Sequence, residues 1–111
     1  MRTVKLRWTA LDWAVAKCVG IKFVNNGVFR PTVNWAQGGP IIEHQRITLK
    51  PAKESVTTAK GAKWVAIGCE VANEDGMRIT CYGPTPLIAA MRCYVVSKLG
   101  DTEIDVPEEL Q

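Results

Sequence analysis

The sequence predicts an α+β fold, a small antiparallel sheet with helices packed on it, in a single domain of 111 residues. Three observations carry this. Residues 83–100 contain a helix with both ends marked. Residues 63–71 and 77–82 form two strand-like runs joined by Asn73-Glu74-Asp75-Gly76, which reads as a hairpin. The order along the chain, helix, hairpin, broken helix, hairpin, helix, suits an antiparallel sheet covered by helices.

The elements follow in order. Arg2, Val4, Leu6 and Trp8 alternate charge with bulk, as in an edge strand or an extended lead-in. Thr9 then opens a helix over 9–19. Leu11, Ala14, Val15 and Cys18 recur at helical spacing, Asp12 suits the first turn, and Gly20 ends the run. Ile21–Val24 and Val28–Arg30 flank Asn25-Asn26-Gly27, a tight-hairpin signal closed by Pro31. Asn34 can cap a short helix through Gln37, which Gly38-Gly39-Pro40 interrupts before a turn or two resumes over Ile41–Arg46. Residues 50–62 read as an exposed loop. The final helix has Thr85 as cap, Pro86 at its first position and Gly100 as its stop. It is apolar on almost every side, so it is either a central helix or one that meets another copy of the chain.

Charge divides the chain into a body, 1–100, and an acidic tail, 101–111. The tail holds Asp101, Glu103, Asp105, Glu108 and Glu109 and no basic residue, which leaves the body with 14 basic against 6 acidic side chains. A body of that charge favours anionic partners. Cys18, Cys69, Cys81 and Cys93 lie far apart in apolar stretches, so reduced, unligated thiols are expected and no metal or cofactor is. Asp12 and Lys17 interrupt the early apolar run, and nothing reaches the length of a membrane span; a cytoplasmic location is the expectation.

Enzymatic chemistry finds little footing. His44 is the single histidine, Cys93 sits in an apolar helix where a reactive thiolate is disfavoured, and Asp12, Glu43 and Glu70 show no sign of convergence. Glycine-rich phosphate motifs are missing from the sequence. Binding chemistry is better represented. Trp13 lies off the apolar stripe of its helix and Trp35 follows Asn34, places where an indole can stack on a base. Gly38, Gly39 and Gly83 permit close approach. Pro84 and Thr85 precede a helix N-terminus whose N–H groups suit an anion, and Arg92 is the one charge within that helix.

Three segments, 10–18, Asn34-Trp35-Ala36-Gln37-Gly38-Gly39-Pro40-Ile41-Ile42-Glu43, and 83–95, together resemble the NinX-like family of small proteins from tailed temperate phages. More distantly they are similar to the phage ABA-sandwich domain. The resemblance implies an intracellular phage accessory protein with an ABA-type sandwich and no established activity. Where the ABA domain has Ser-Thr-Asp, this chain has Thr32-Val33-Asn34, which brings no charge to that turn.

The expectation is therefore a non-enzymatic homo-oligomer, at least a dimer, that sequesters a small anionic, nucleotide-derived host immune signal. Its ligand-binding residues are Trp13, Asn34, Trp35, Gly38, Gly39, Gly83, Pro84, Thr85 and Arg92. The alternative is an accessory factor in phage replication or recombination that binds protein or nucleic acid through its basic surface.

Overall fold

The computed structural model describes residues 8–53, 63–72, 78–100 and 103–110. Its elements are α1 (Trp8–Val19), α2 (Trp35–Gln45), β1 (Thr48–Pro51), β2 (Trp64–Ala72), β3 (Arg78–Gly83), α3 (Pro86–Leu99) and a 3-10 turn (Glu108–Leu110). The three strands form one antiparallel sheet in the order β1-β2-β3. This is the expected α+β architecture. The lead-in at 2–7 and the turn at 73–76 lie outside the described residues.

Small side chains decide how helix and sheet meet. Ala66 and Gly68 of β2 and Cys81 and Gly83 of β3 share one face, and α3 lies on it. A Cβ on Gly83 would stand 2.7 Å from the Ala89 nitrogen, and one on Gly68 would stand 3.6 Å from the Cys93 sulfur. The helix therefore rests almost on the strand backbone. On its other sides α3 is covered by α1 and α2. Leu87 through Met91 and Cys93 through Val96 are all buried within this single chain. Its all-round apolarity is thus explained by a central place in the fold. The ends behave as expected: the Thr85 hydroxyl accepts from Ile88 N–H at 3.1 Å, and Gly100 stops the helix at φ +80°.

Several expectations need correction. The segment 21–30 forms no strand pair. The turn chemistry is present, with Gly27 at φ +78° and the Asn26 side chain accepting from Val28 N–H. However, Ile21, Val24 and Val28 are exposed, and Phe23 and Phe29 dock on the core without pairing as strands. The Gln37 side chain ties this loop down instead, donating to the Val28 carbonyl at 2.6 Å and accepting from Arg30 N–H at 2.5 Å.

Gly38-Gly39-Pro40 does not break its helix. Asn34 caps α2 through Ala36 N–H at 2.9 Å, and α2 runs on through Pro40 to Gln45, because the packing of Ile41 and Ile42 against the core outweighs one lost backbone bond. The exposed loop expected over 50–62 overlaps β1 at Lys50 and Pro51, a strand the sequence does not announce, and residues 54–62 lie outside the described residues. Thr9 does not cap α1, which starts at Trp8. Asp12 consequently lies beyond the first turn and is buried, with a structural partner described below. In the tail, Val106 and Leu110 are buried in the core and Ile104 packs against it, while Glu103, Asp105, Glu108 and Glu109 stay exposed.

Candidate functional site

The site builds from the junction of Pro31, α2 and α3. A Cβ on Gly38 would meet the Pro31 carbonyl oxygen and a Leu87 methyl, each at 2.6 Å, so the first turn of α2 sits directly against the first turn of α3. Both helices are capped there, by Asn34 and Thr85. Two helix N-termini, each with the positive pole of its dipole, thereby share one end of the molecule. Trp35, the first residue of α2, is 55% exposed at that end.

This geometry brings Asn34, Trp35, Gly38, Gly39, Pro84 and Thr85 into one neighbourhood. Gly38 and Gly83 work as packing glycines within it, whereas a Cβ on Gly39 would meet nothing within 4 Å. Arg92 is half-buried and its guanidinium donates to the Tyr82 carbonyl at 2.8 Å, which anchors it beside β3. Trp13 is engaged elsewhere: its ring packs against the core with the Lys17 ammonium 5.3 Å from its centroid.

Beneath the junction lies a buried polar pair that sequence reasoning missed. The Asp12 carboxylate, 2% exposed, accepts from Thr32 N–H at 3.0 Å and so fastens α1 to the turn that leads into α2. Burial pushes its pKa above the ordinary carboxylate range, and the Thr32 hydrogen bond and the nearby Arg30 charge offset this only in part. The Thr32 hydroxyl stands close enough to favour the carboxylate but falls short of hydrogen-bond geometry, and it has no other partner among the described residues. The available signal was positional, since Asp12 shares a helix face with the apolar Val15 and Ala16 at i+3 and i+4.

Cysteine and histidine are not brought together. His44 is exposed on α2 beside the Gln45 amide, whereas Cys93 is buried between α3 and the sheet. The Cys93 thiol lies 3.8 Å from the Ile79 carbonyl oxygen, and a hydrogen bond with Cys81 draws its pKa below the usual thiol value despite burial. Cys18, by contrast, is pushed up by burial. Cys18, Cys81 and Cys93 are free thiols. Among the described residues no cluster of three or more His, Cys, Asp or Glu side chains could hold a metal ion, and no helix is long and apolar enough to cross a membrane.

What the fold defines is a small α+β domain with two abutting helix starts and an exposed indole. Residues 2–98 match the family described as Bacteriophage P22, NinX, and the chain belongs to that family of phage proteins. No curated protein matches it in sequence.

Proposed function

We propose that the protein is a non-enzymatic phage accessory factor that captures a small anionic, nucleotide-derived host immune signal and so counters host defence in the cytoplasm. The observation that carries this reading is the exposed Trp35 at the shared end of α2 and α3. Helix N-termini favour phosphate oxygens, and an indole beside them offers a face for a base. Capture needs no general base or metal.

A homo-oligomer belongs to this proposal on altered grounds. Because α3 is covered within one chain, a second copy would instead meet exposed apolar residues such as Val24, Val28, Val33 and Trp35. The same apolar residues favour the second reading, a protein-binding accessory factor in phage replication or recombination.

Mass spectrometry of small molecules released by heating the purified protein tests the proposal. A stoichiometric, intact nucleotide is the expected result. Trp35→Ala and Thr85→Val should each weaken its binding by about 1–3 kcal/mol while the chain stays folded by circular dichroism. Thr85→Val also removes a cap and costs about 1 kcal/mol of stability, so its melting is measured alongside. Protein that carries no nucleotide, and variants that bind any added one as the parent does, would favour the accessory-factor reading.

A further inference from the structure

The face of the sheet turned away from α3 has a composition of its own. Strand alternation places Thr48 and Lys50 of β1, Val65 and Ile67 of β2, and Arg78, Thr80 and Tyr82 of β3 on it, opposite Ala66, Gly68, Cys81 and Gly83. Lys63 continues the alternation one residue before β2. The register sets Lys50 opposite Val65 and Val65 opposite Tyr82, so ammonium, isopropyl and phenol form one row across the sheet. Thr48, Ile67 and Thr80 form the next.

None of these positions is acidic. Thr48, Lys50, Lys63, Arg78, Thr80 and Tyr82 are exposed, Tyr82 by 41%, while Val65 at the centre is only 5% exposed and makes an apolar floor. No described helix lies on this face. Among the described residues Lys50, Lys63 and Arg78 form no ion pair. A solvated sheet face commonly mixes both signs of charge, because like charges on neighbouring strands repel. Here one sign surrounds an exposed ring and two hydroxyls.

From this arrangement we infer that the outer sheet face binds single-stranded nucleic acid. Lys50, Lys63 and Arg78 neutralise backbone phosphates, a base stacks on Tyr82, and the Thr48 and Thr80 hydroxyls hydrogen-bond to sugar or base edges. The ring selects single strands. A base must leave its own stack to lie on Tyr82, which a duplex does not allow without disruption. The inference is independent of nucleotide capture at Trp35, since it uses other residues on another face.

Fluorescence anisotropy with a labelled oligonucleotide of about 12 nucleotides, a length within the site sizes of single-strand binders, tests it. Three phosphate contacts predict that log K falls with log salt at a slope of roughly −2, and Lys50→Gln should flatten that slope by about 0.7. Tyr82→Ala should weaken binding roughly 5- to 100-fold, whereas Tyr82→Phe keeps the ring and the affinity. Duplex of the same length should bind less well, and Trp35→Ala should bind the oligonucleotide as the parent does. The substituted side chains are all exposed, so circular dichroism should be unchanged. Three results would each overturn the inference: no binding at low salt, equal affinity for duplex, or identical binding by Tyr82→Ala and the parent. If an acidic peptide displaces the oligonucleotide and binds Tyr82→Ala undiminished, the face is a protein contact instead.

Discussion

Asp12 shows how far a residue's setting can change its meaning. In the sequence it looks like a helix-dipole residue, because a run starting at Thr9 puts it in the first turn. The fold starts α1 at Trp8 and buries the carboxylate against Thr32. Its raised pKa means that the folded chain holds this proton to higher pH than the unfolded chain does. Stability from this group is therefore fully present below the ordinary aspartate value and declines as pH rises through the raised folded value. Asp12→Asn should abolish that decline, because its amide oxygen still accepts from Thr32 N–H and its NH₂ can donate to the unpartnered Thr32 hydroxyl. Melting temperatures between about pH 4 and pH 8 test this, with the variant at or above the parent at pH 7. Asp12→Leu should instead lose about 1–3 kcal/mol by leaving a buried N–H without an acceptor. The two caps of the candidate site were easier to read. Asn34 and Thr85 carry their signal in local sequence, whereas the contact between α2 and α3 through Gly38 depends on a tertiary neighbour, Leu87, that no local pattern reveals.

Among the elements, those whose ends are written locally were legible and those held by distant contacts were not. α3 and the β2–β3 pair follow from a cap, a proline, a glycine stop and two β-rich runs. The expected hairpin at 21–30 has the right turn residues, but Ile21, Val24 and Val28 stay exposed while Phe23 and Phe29 dock on the core without pairing, and β1 is only four residues long. By propensity alone the glycines and proline of α2 divide it in two, whereas the packing of Ile41 and Ile42 keeps it one helix. The two glycines have opposite roles, which gives a paired test. A methyl at Gly38 collides with the Pro31 backbone, so Gly38→Ala should cost about 1–3 kcal/mol. Gly39→Ala, one residue on and into open space, should stabilise the helix by roughly 0.5–1 kcal/mol. Denaturant midpoints that move in opposite directions would show that α2 is one helix pinned at a single point. If both substitutions stabilise, the α2–α3 contact is looser than described, and with it the neighbourhood proposed for the ligand.

At the scale of the whole molecule, charge and packing are distributed differently between body and tail. Residues 103–110 lie beyond the NinX match, yet Val106 and Leu110 reach the core, so the tail is held by apolar contacts and presents its carboxylates outward. Truncation before residue 103 would strip two buried side chains, at about 1.5–3 kcal/mol each, and remove Glu103, Asp105, Glu108 and Glu109 together. Its outcome would therefore mix stability with electrostatics. A cleaner variant keeps the docking and changes only the charge: Asp105→Asn, Glu108→Gln and Glu109→Gln together raise the net charge from +3 to +6 without touching Val106 or Leu110. These three carboxylates are exposed, and surface charges of that kind contribute little to stability, so the melting temperature should stay within a few degrees of the parent. Association with any polyanion should nevertheless quicken, most at low salt and hardly at all when the Debye length is short. Measuring the oligonucleotide on-rate at about 0.01 M and about 1 M salt separates the two effects. A large gain at low salt that vanishes at high salt would make the tail an electrostatic brake on the basic body. Unchanged rates at both would mean that its carboxylates stand too far from the binding face to be felt, leaving Ile104, Val106 and Leu110 as the tail's contribution to the fold.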